Sequence, residues 1–166
     1  MYRAILVGLL ALLSCTKDPD PVVTVPDPPR EKPAGLGGQN GNDHTPMPTE
    51  IKITVSGKSL PVKIEDNAAT RALVEALREA SVTYEADDYG GFEKVGALGR
   101  SLPTSNSQIS TKPGDVILYS GNQIVLFYGT NSWSYTRIGR MEYGTLDELK
   151  SFLKAGEGRI TVTLSF

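Results

Sequence analysis

Apolar and polar residues alternate in several short stretches of the chain after residue 50, and this pattern predicts β-strands. Residues 51–57 and 60–65 alternate on either side of a Ser-Gly-Lys turn at 56–58, which predicts a β-hairpin. Residues 114–129 predict a second hairpin, because a Ser-Gly-Asn-Gln turn at 120–123 separates two apolar runs. Further strands are predicted at 81–86, 134–142 and 159–166.

Two stretches have the periodicity of a helix instead. Residues 67–80 place apolar side chains on one helical face, and Asp66 or Asn67 is available as the N-cap. Residues 145–156 predict a second helix, which begins with a capping box at Thr145 and ends at a glycine. Six or more closely connected strands with two helices predict a mainly β fold, a small closed β-barrel with two helices. A parallel α/β fold is the weaker alternative, since too few helices separate the strands.

The N-terminus has the pattern of an export signal. Arg3 precedes an apolar run from Ala4 to Leu13, which is shorter than the roughly 20 residues that a membrane-spanning helix needs. Residues 12–15, "LLSC", resemble the lipobox of bacterial lipoproteins, and this resemblance implies a signal peptide at 1–14 and lipid attachment at Cys15. The expected location is the bacterial cell envelope, with membrane and face left open. The alternative is a chance cysteine in an ordinary signal peptide.

Residues 15–49 are predicted to be a flexible tether between the lipid and a folded domain at 50–166. The segment after Cys15 holds eight of the eleven prolines and shows no apolar period, so it cannot bury a core. His44, the only histidine, lies in this tether, and Cys15 is the only cysteine. A Ser-His-Asp triad, a Cys-His dyad and a histidine zinc site are therefore excluded from the predicted domain. No metal or other cofactor is expected.

Charge gives no sign of a nucleic-acid partner. Seventeen basic and nineteen acidic residues give a net charge of -2, and both signs are scattered along the chain. Proteins that bind nucleic acid by their surface charge show a basic patch or stripe instead. We therefore expect no nucleic-acid binding.

Several motifs occur in an order that resembles the small bacterial cyclophilin-like domain family. They are a helix of the "DNxAxxALxxxL" type from Asp66, "DYGGFEKVGALGRSLP" at 88–103, "GDVILYSGNQIVLFYG" at 114–129 and "RIGRME" at 137–142. The resemblance covers nearly all of residues 50–166 and implies a cyclophilin-like β-barrel with two helices. Cyclophilins proper are prolyl isomerases that use an apolar proline pocket and an arginine. This chain lacks the Phe-His-Arg and Gln-Gly-Gly stretches that carry those roles, and a shared fold alone does not carry function.

The stretch 88–103 also contains the candidate site. If residues 92–98 form a strand, Phe92 and Lys94 face one side while Glu93 and Val95 face the other. One of the two charged side chains could then face a cleft, where a buried charge needs a partner.

Arg137 and Arg140 are the expected partners of Glu93. Two interpretations follow: a strand corner fixed by a Glu93–arginine pair, or a pocket for a small molecule or a proline-containing peptide. Tyr128 is expected to reach solvent with its hydroxyl. Trp133 is expected in a loop, as a lid on the core or an anchor for a partner. The candidate binding residues are Tyr89, Glu93, Lys94, Tyr128, Trp133, Tyr135, Arg137 and Arg140, with Phe127 as a further aromatic neighbour.

Three functional hypotheses remain open on this basis. The favoured one is a non-catalytic, membrane-tethered binding or accessory module of the cell envelope. The second is a prolyl isomerase or a related weak enzyme. The third is a structural envelope protein without a small ligand.

Overall fold

The computed structural model describes residues 46–166. The predicted signal peptide, Cys15, His44 and the tether up to residue 45 lie outside the described residues. The described part contains nine strands and two helices. In chain order they are Glu50–Val55 (β1), Lys58–Ile64 (β2), Ala68–Glu79 (α1), Val82–Tyr89 (β3), Glu93–Ala97 (β4), Ser107–Ser110 (β5), Asp115–Tyr119 (β6), Gln123–Phe127 (β7), Ser132–Met141 (β8), Leu146–Phe152 (α2) and Ile160–Ser165 (β9).

Eight of the strands form a closed antiparallel barrel in the order β2-β1-β9-β3-β4-β7-β6-β8. The barrel closes where β2 pairs with β8, with Val62 opposite Met141 and Ile64 opposite Gly139. Closure leaves no exposed sheet edge among these eight strands. The predicted closed, mainly β barrel with two helices is confirmed.

Both helices contribute to the core inside the barrel. Leu73 and Leu77 of α1, Leu149 of α2 and Leu153 just after it are buried in one cluster with the inward-facing strand residues. Asn67 caps α1 by accepting a hydrogen bond from the Thr70 N–H, and α2 begins with the predicted capping box. Each helix is therefore fixed at its N-terminus by a local sequence signal and along its length by burial.

Strand β5 is the main element that the sequence pattern missed. It pairs only with the first half of β8, from Ser107 opposite Tyr135 to Ser110 opposite Ser132, while the second half of β8 belongs to the barrel. This two-stranded extension includes Trp133, so the predicted loop position of Trp133 is wrong: it lies in β8. Its backbone position is fixed by strand pairing opposite Ile109.

Two further searches of the described residues gave negative results. None of the helices in 46–166 is long and apolar enough to cross a membrane. Within the same range, no three His, Cys, Asp or Glu side chains are grouped so that they could hold a metal ion.

Candidate functional site

A tight turn between β3 and β4 sets the position of the first two site residues. Gly90 and Gly91 have φ angles of 61° and 75°, a left-handed backbone that glycine adopts at little cost. The Phe92 N–H donates to the Tyr89 carbonyl oxygen across this turn at 3.3 Å. Tyr89 and Glu93 consequently lie directly opposite each other on neighbouring strands. The paired glycines of the 88–103 stretch thus bring an aromatic ring beside a carboxyl group.

Successive residues of β4 face opposite sides of the barrel wall, as the alternation predicts. Lys94 is fully buried and pairs with Leu126, a member of the interior core. Glu93 pairs with Phe127, which belongs to a separate cluster on the outer face. Phe92 differs from the prediction, because β4 begins only at Glu93 and the Phe92 ring stacks on Phe127 with centroids 6.3 Å apart. It therefore lies on the outer side with Glu93.

The outer face of β4, β7, β6 and β8 carries a small apolar cluster of its own. Its buried members are Ile117, Val125, Phe127 and Tyr135. Beside this cluster lies a pocket of about 410 Å³, a volume within the range of small-molecule sites. The pocket is lined by Tyr89, Glu93, Val95, Tyr119, Gln123, Val125, Asn131, Trp133 and Tyr135.

Aromatic rings make up much of the pocket wall. Tyr119 and Tyr135 pack edge to face with centroids 6.0 Å apart, and the Asn131 side-chain N–H donates to the Tyr135 hydroxyl at 2.9 Å. These contacts fix the inner rings. Tyr89 and Trp133 are 66% and 59% exposed, which is unusual for side chains of this size. They form the open rim, where a ligand would bury their exposed surface.

Glu93 is the unusual group of the pocket. Its side chain is only 5% exposed, and its Oε2 atom is buried without a hydrogen-bond partner among the described residues. Burial raises the pKa of Glu93 to about 7, because the charged form loses its hydration. A buried polar atom without a partner is costly, and in native proteins it often marks a functional position. The Glu93 carboxyl can therefore bind a proton or an external donor near neutral pH.

Lys94 and Tyr128 belong to a different set of contacts, which centres on Asp88. The Lys94 Nζ lies 2.8 Å from the Asp88 carboxylate, and the Tyr128 hydroxyl donates to the same carboxylate at 2.9 Å. Asp88 also accepts from the N–H groups of Gly156 and Gly158 in the α2–β9 connection. The expectation that the Tyr128 hydroxyl reaches solvent is wrong, since the residue is only 4% exposed. Both side chains are held in the interior and do not line the pocket.

The charged contacts around Asp88 alter the pKa values of the groups involved. Burial acts to raise the pKa of Asp88, but hydrogen bonds from Lys94, Gly156, Gly158 and Tyr128 outweigh it and lower the pKa to about 2. Burial and the nearby Asp88 charge raise the pKa of Tyr128 to about 12. Asp88 therefore stays ionised and neutralises the buried ammonium of Lys94.

Arg137 and Arg140 do not pair with Glu93, so that prediction is wrong. Both contact the fully buried carboxylate of Asp115, the first residue of β6, at 3.1 Å and 3.7 Å. Arg137 also lies 3.5 Å from Glu65. A shift of the β6–β8 register between Val116 and Ile117 sets the position of the two arginines relative to β6. The interpretation of this stretch as a strand corner fixed by a Glu93–arginine pair is therefore not supported. Glu93 faces the pocket instead.

Four of the eight candidate binding residues meet at this pocket: Tyr89, Glu93, Trp133 and Tyr135. Sequence reasoning missed Tyr119 and Gln123, which are opposite partners at the end of the β6–β7 hairpin. The hairpin turn had been identified, so their pairing could have been found from the register alone. It also missed Asn131, whose role depends on the position of β8.

The fold and the pocket together define a small closed β-barrel domain with a ligand-sized pocket on its outer wall. A family model described as the cyclophilin-like family matches residues 53–165, and the chain belongs to this family. No curated protein matches the chain significantly.

Two solved structures share this architecture at low sequence identity. McbB in complex with tryptophan aligns with a TM-score of 0.53 and 13% identity over 69% of this chain, and the chain covers 44% of McbB. A hypothetical protein of Archaeoglobus fulgidus, determined in solution, aligns with a TM-score of 0.50 and 15% identity over 72% of this chain and 95% of that protein. At these identities, the similarities show a common fold.

Proposed function

We propose that the domain is a non-catalytic binding module, and that the outer-face pocket holds its ligand. The observation that carries the proposal is Glu93, a carboxyl group that is almost fully buried, has an Oε2 atom without a partner among the described residues, and lies in an open pocket. A bound ligand would donate a hydrogen bond to the Glu93 carboxyl group where it lines the pocket, and would cover the exposed rings of Tyr89 and Trp133. Mainly apolar lining with a few polar groups is typical of such sites.

Prolyl isomerisation is the less favoured function for this pocket. Of the described residues that line it, none is an arginine. Arg137 and Arg140 are engaged by Asp115. An isomerase must lower a barrier of about 20 kcal/mol about the X–Pro bond, and stabilising the twisted nitrogen with a donor is a direct way to do so. The pocket can bind a proline-containing peptide without supplying that donor.

A thermal-shift screen of the purified protein tests the binding function. The panel contains proline-containing peptides, amines, carboxylates and tryptophan, the molecule bound in the McbB structure. We expect at least one compound to raise the melting temperature, and we expect Glu93→Gln or Tyr89→Phe to reduce that shift. Glu79→Gln is the matched control, because Glu79 is an exposed carboxylate at the end of α1. A panel without any stabilising compound would favour a structural protein without a small ligand.

A prolyl-isomerisation assay on the same protein separates the second function from the first. We expect no acceleration above the uncatalysed rate. Acceleration that disappears in Arg137→Ala, while the fold is retained, would replace the binding module with an enzyme.

The module is further proposed to be held at a bacterial membrane by lipid on Cys15. The support is the sequence: an apolar segment followed by "LLSC" and a proline-rich stretch. Two or more acyl chains give stable anchoring, whereas one chain is marginal. Cys15→Ser should move the protein from the membrane fraction to the wash fractions. A variant that stays as firmly membrane-bound as the wild type would overturn the lipid anchor and would leave the pocket unaffected.

A further inference from the structure

Among the residues that the structure describes, the pocket is lined by one carboxyl group and by no lysine or arginine that could pair with it. Among the described residues that line the pocket, Glu93 is the only Asp or Glu, and neither lysine nor arginine is present. The neighbouring lysine, Lys94, faces the barrel interior and is paired with Asp88. The two arginines of β8 are paired with Asp115. These three basic side chains are thus paired with carboxylates other than Glu93.

The rest of the pocket wall suits a positively charged group. Tyr89, Tyr119, Trp133 and Tyr135 surround the space beside the carboxyl group, and two of these rings are more than half exposed. Aromatic faces carry negative charge density and attract a cation placed within about 6 Å of the ring centre. A group of such rings around a carboxylate is a common way to bind organic ammonium ions.

The polar atoms of the pocket narrow the ligand class further. Glu93 lines the pocket and is the only Asp or Glu among its described lining residues, so a ligand beside it is favoured by an N–H or O–H donor or by a positive charge. Val95 and Val125 give the pocket an apolar surface, which suits a hydrocarbon or aromatic body. Gln123 and Asn131 are the other polar residues of the lining that are not aromatic, and the Asn131 amide is already bonded to the Tyr135 hydroxyl and the Ser132 N–H. A protonated amine on an apolar body matches each of these features.

The geometry points to an organic ammonium ion as the ligand, with its N–H groups donating to Glu93 and its positive charge lying against the rings of Trp133 and Tyr89. This inference rests on the proposed binding function of the same pocket. The charged amine could be a free small molecule or the side chain of a lysine in a peptide. Both present the same ammonium chemistry, and a titration can tell them apart.

Calorimetric titration of the purified protein with three matched probes tests the inference. Phenethylamine carries charge and N–H donors, phenethyltrimethylammonium carries charge without donors, and 2-phenylethanol carries a donor without charge. We expect phenethylamine to bind at least about tenfold more tightly than 2-phenylethanol, as a charge-assisted hydrogen bond in a desolvated site requires. The trimethylammonium compound should bind more weakly than phenethylamine, because it cannot donate a hydrogen bond to Glu93.

Two variants and a control connect binding to the residues. Glu93→Gln should weaken the binding of phenethylamine by at least about tenfold, while changing the affinity for 2-phenylethanol by less than about threefold. Trp133→Ala removes an exposed ring, so the variant should retain the fold and bind both charged probes more weakly. Glu79→Gln should change none of the affinities. Nα-acetyl-lysine methylamide is the probe for a lysine side chain in a peptide. If it binds more tightly than phenethylamine, the ligand is a lysine side chain. If it binds more weakly, the ligand is a free amine.

The outcomes separate this inference from the proposed function. If 2-phenylethanol or a proline-containing peptide binds as tightly as phenethylamine and Glu93→Gln has no effect on either, the pocket is a binding site but not for ammonium ions. If none of the probes and none of the screened compounds binds at millimolar concentration, both the inference and the binding function are overturned.

Discussion

Replacing Glu93 with glutamine should make the protein more stable at alkaline pH than the wild type. The side chain is almost completely buried, and burial raises its pKa in the folded protein to about 7, against an ordinary value of 4.5. Between these two values the folded state holds a proton that the unfolded state has released. The stabilisation from the protonated carboxyl is therefore fully present below about pH 4.5 and is lost as the pH rises through 7.

The size of the effect follows from the difference between the two pKa values. Each pKa unit corresponds to about 1.4 kcal/mol, so the difference implies a loss of about 3 kcal/mol in the free energy of unfolding between pH 4 and pH 8. Glutamine has nearly the same shape and does not ionise, so Glu93→Gln removes this dependence. Contributions from other groups, such as Asp88, are common to both proteins and cancel in the comparison.

Urea unfolding of the wild type and the variant at pH 4, 6 and 8 measures the difference. We expect the stability of Glu93→Gln relative to the wild type to rise by about 3 kcal/mol from pH 4 to pH 8. Glu79→Gln, which changes an exposed carboxylate, should show no such trend. A relative stability of Glu93→Gln that stays constant within about 0.5 kcal/mol over this range would refute the description of Glu93 as a buried carboxyl whose Oε2 atom has no partner among the described residues.

Three further substitutions test the fold around the site by urea unfolding. Asp88→Asn should lower the free energy of unfolding by about 3–5 kcal/mol at pH 7, because it leaves the buried ammonium of Lys94 uncompensated. The free energy of unfolding of the wild type should also fall by about 1–2 kcal/mol as the pH falls from 3.8 towards 2, after allowing for partial solvent access. Absence of this pH-dependent loss in Asp88→Asn would support the lowered pKa of Asp88. Asp115→Asn should lower the free energy of unfolding by about 2–4 kcal/mol, because it weakens the contact with Arg137. An unchanged urea midpoint would contradict a stabilising role for that pair. Gly96→Ala should cost more than about 2 kcal/mol, since its Cβ would collide with the Glu85 carbonyl oxygen; a cost below about 0.5 kcal/mol would show that the β3–β4 approach is looser than described.

Local patterns in the sequence were sufficient for most of the barrel. Both hairpins, both helices and the opposite orientation of Glu93 and Lys94 follow from alternation, turn residues and caps, which act over a few positions. Strand β5 could not be found this way, because residues 107–110 are mostly polar and become a strand only by pairing with β8. The position of Trp133 was missed for the same reason.

The candidate site was less predictable because it depends on strand register over long sequence separations. Tyr89 and Glu93 are neighbours across one turn, and their pairing needs no long-range information. The partner of Arg137 is decided by how β6 and β8 align, including a register shift that leaves no mark in the sequence. Asp115 was seen only as part of a family motif, yet it is the carboxylate that engages both arginines and leaves Glu93 free of them.

The pKa of Glu93 is the most direct test of the central proposal, that a bound ligand donates to this carboxyl group. Its pKa can be measured by NMR on protein with ¹³C-labelled glutamate, with the Glu93 signal assigned from its absence in Glu93→Gln. We predict a pKa near 7 in the free protein, and a fall towards 4.5 or below when phenethylamine saturates the pocket. A pKa near 4.5 in the free protein that phenethylamine does not change would contradict the claim.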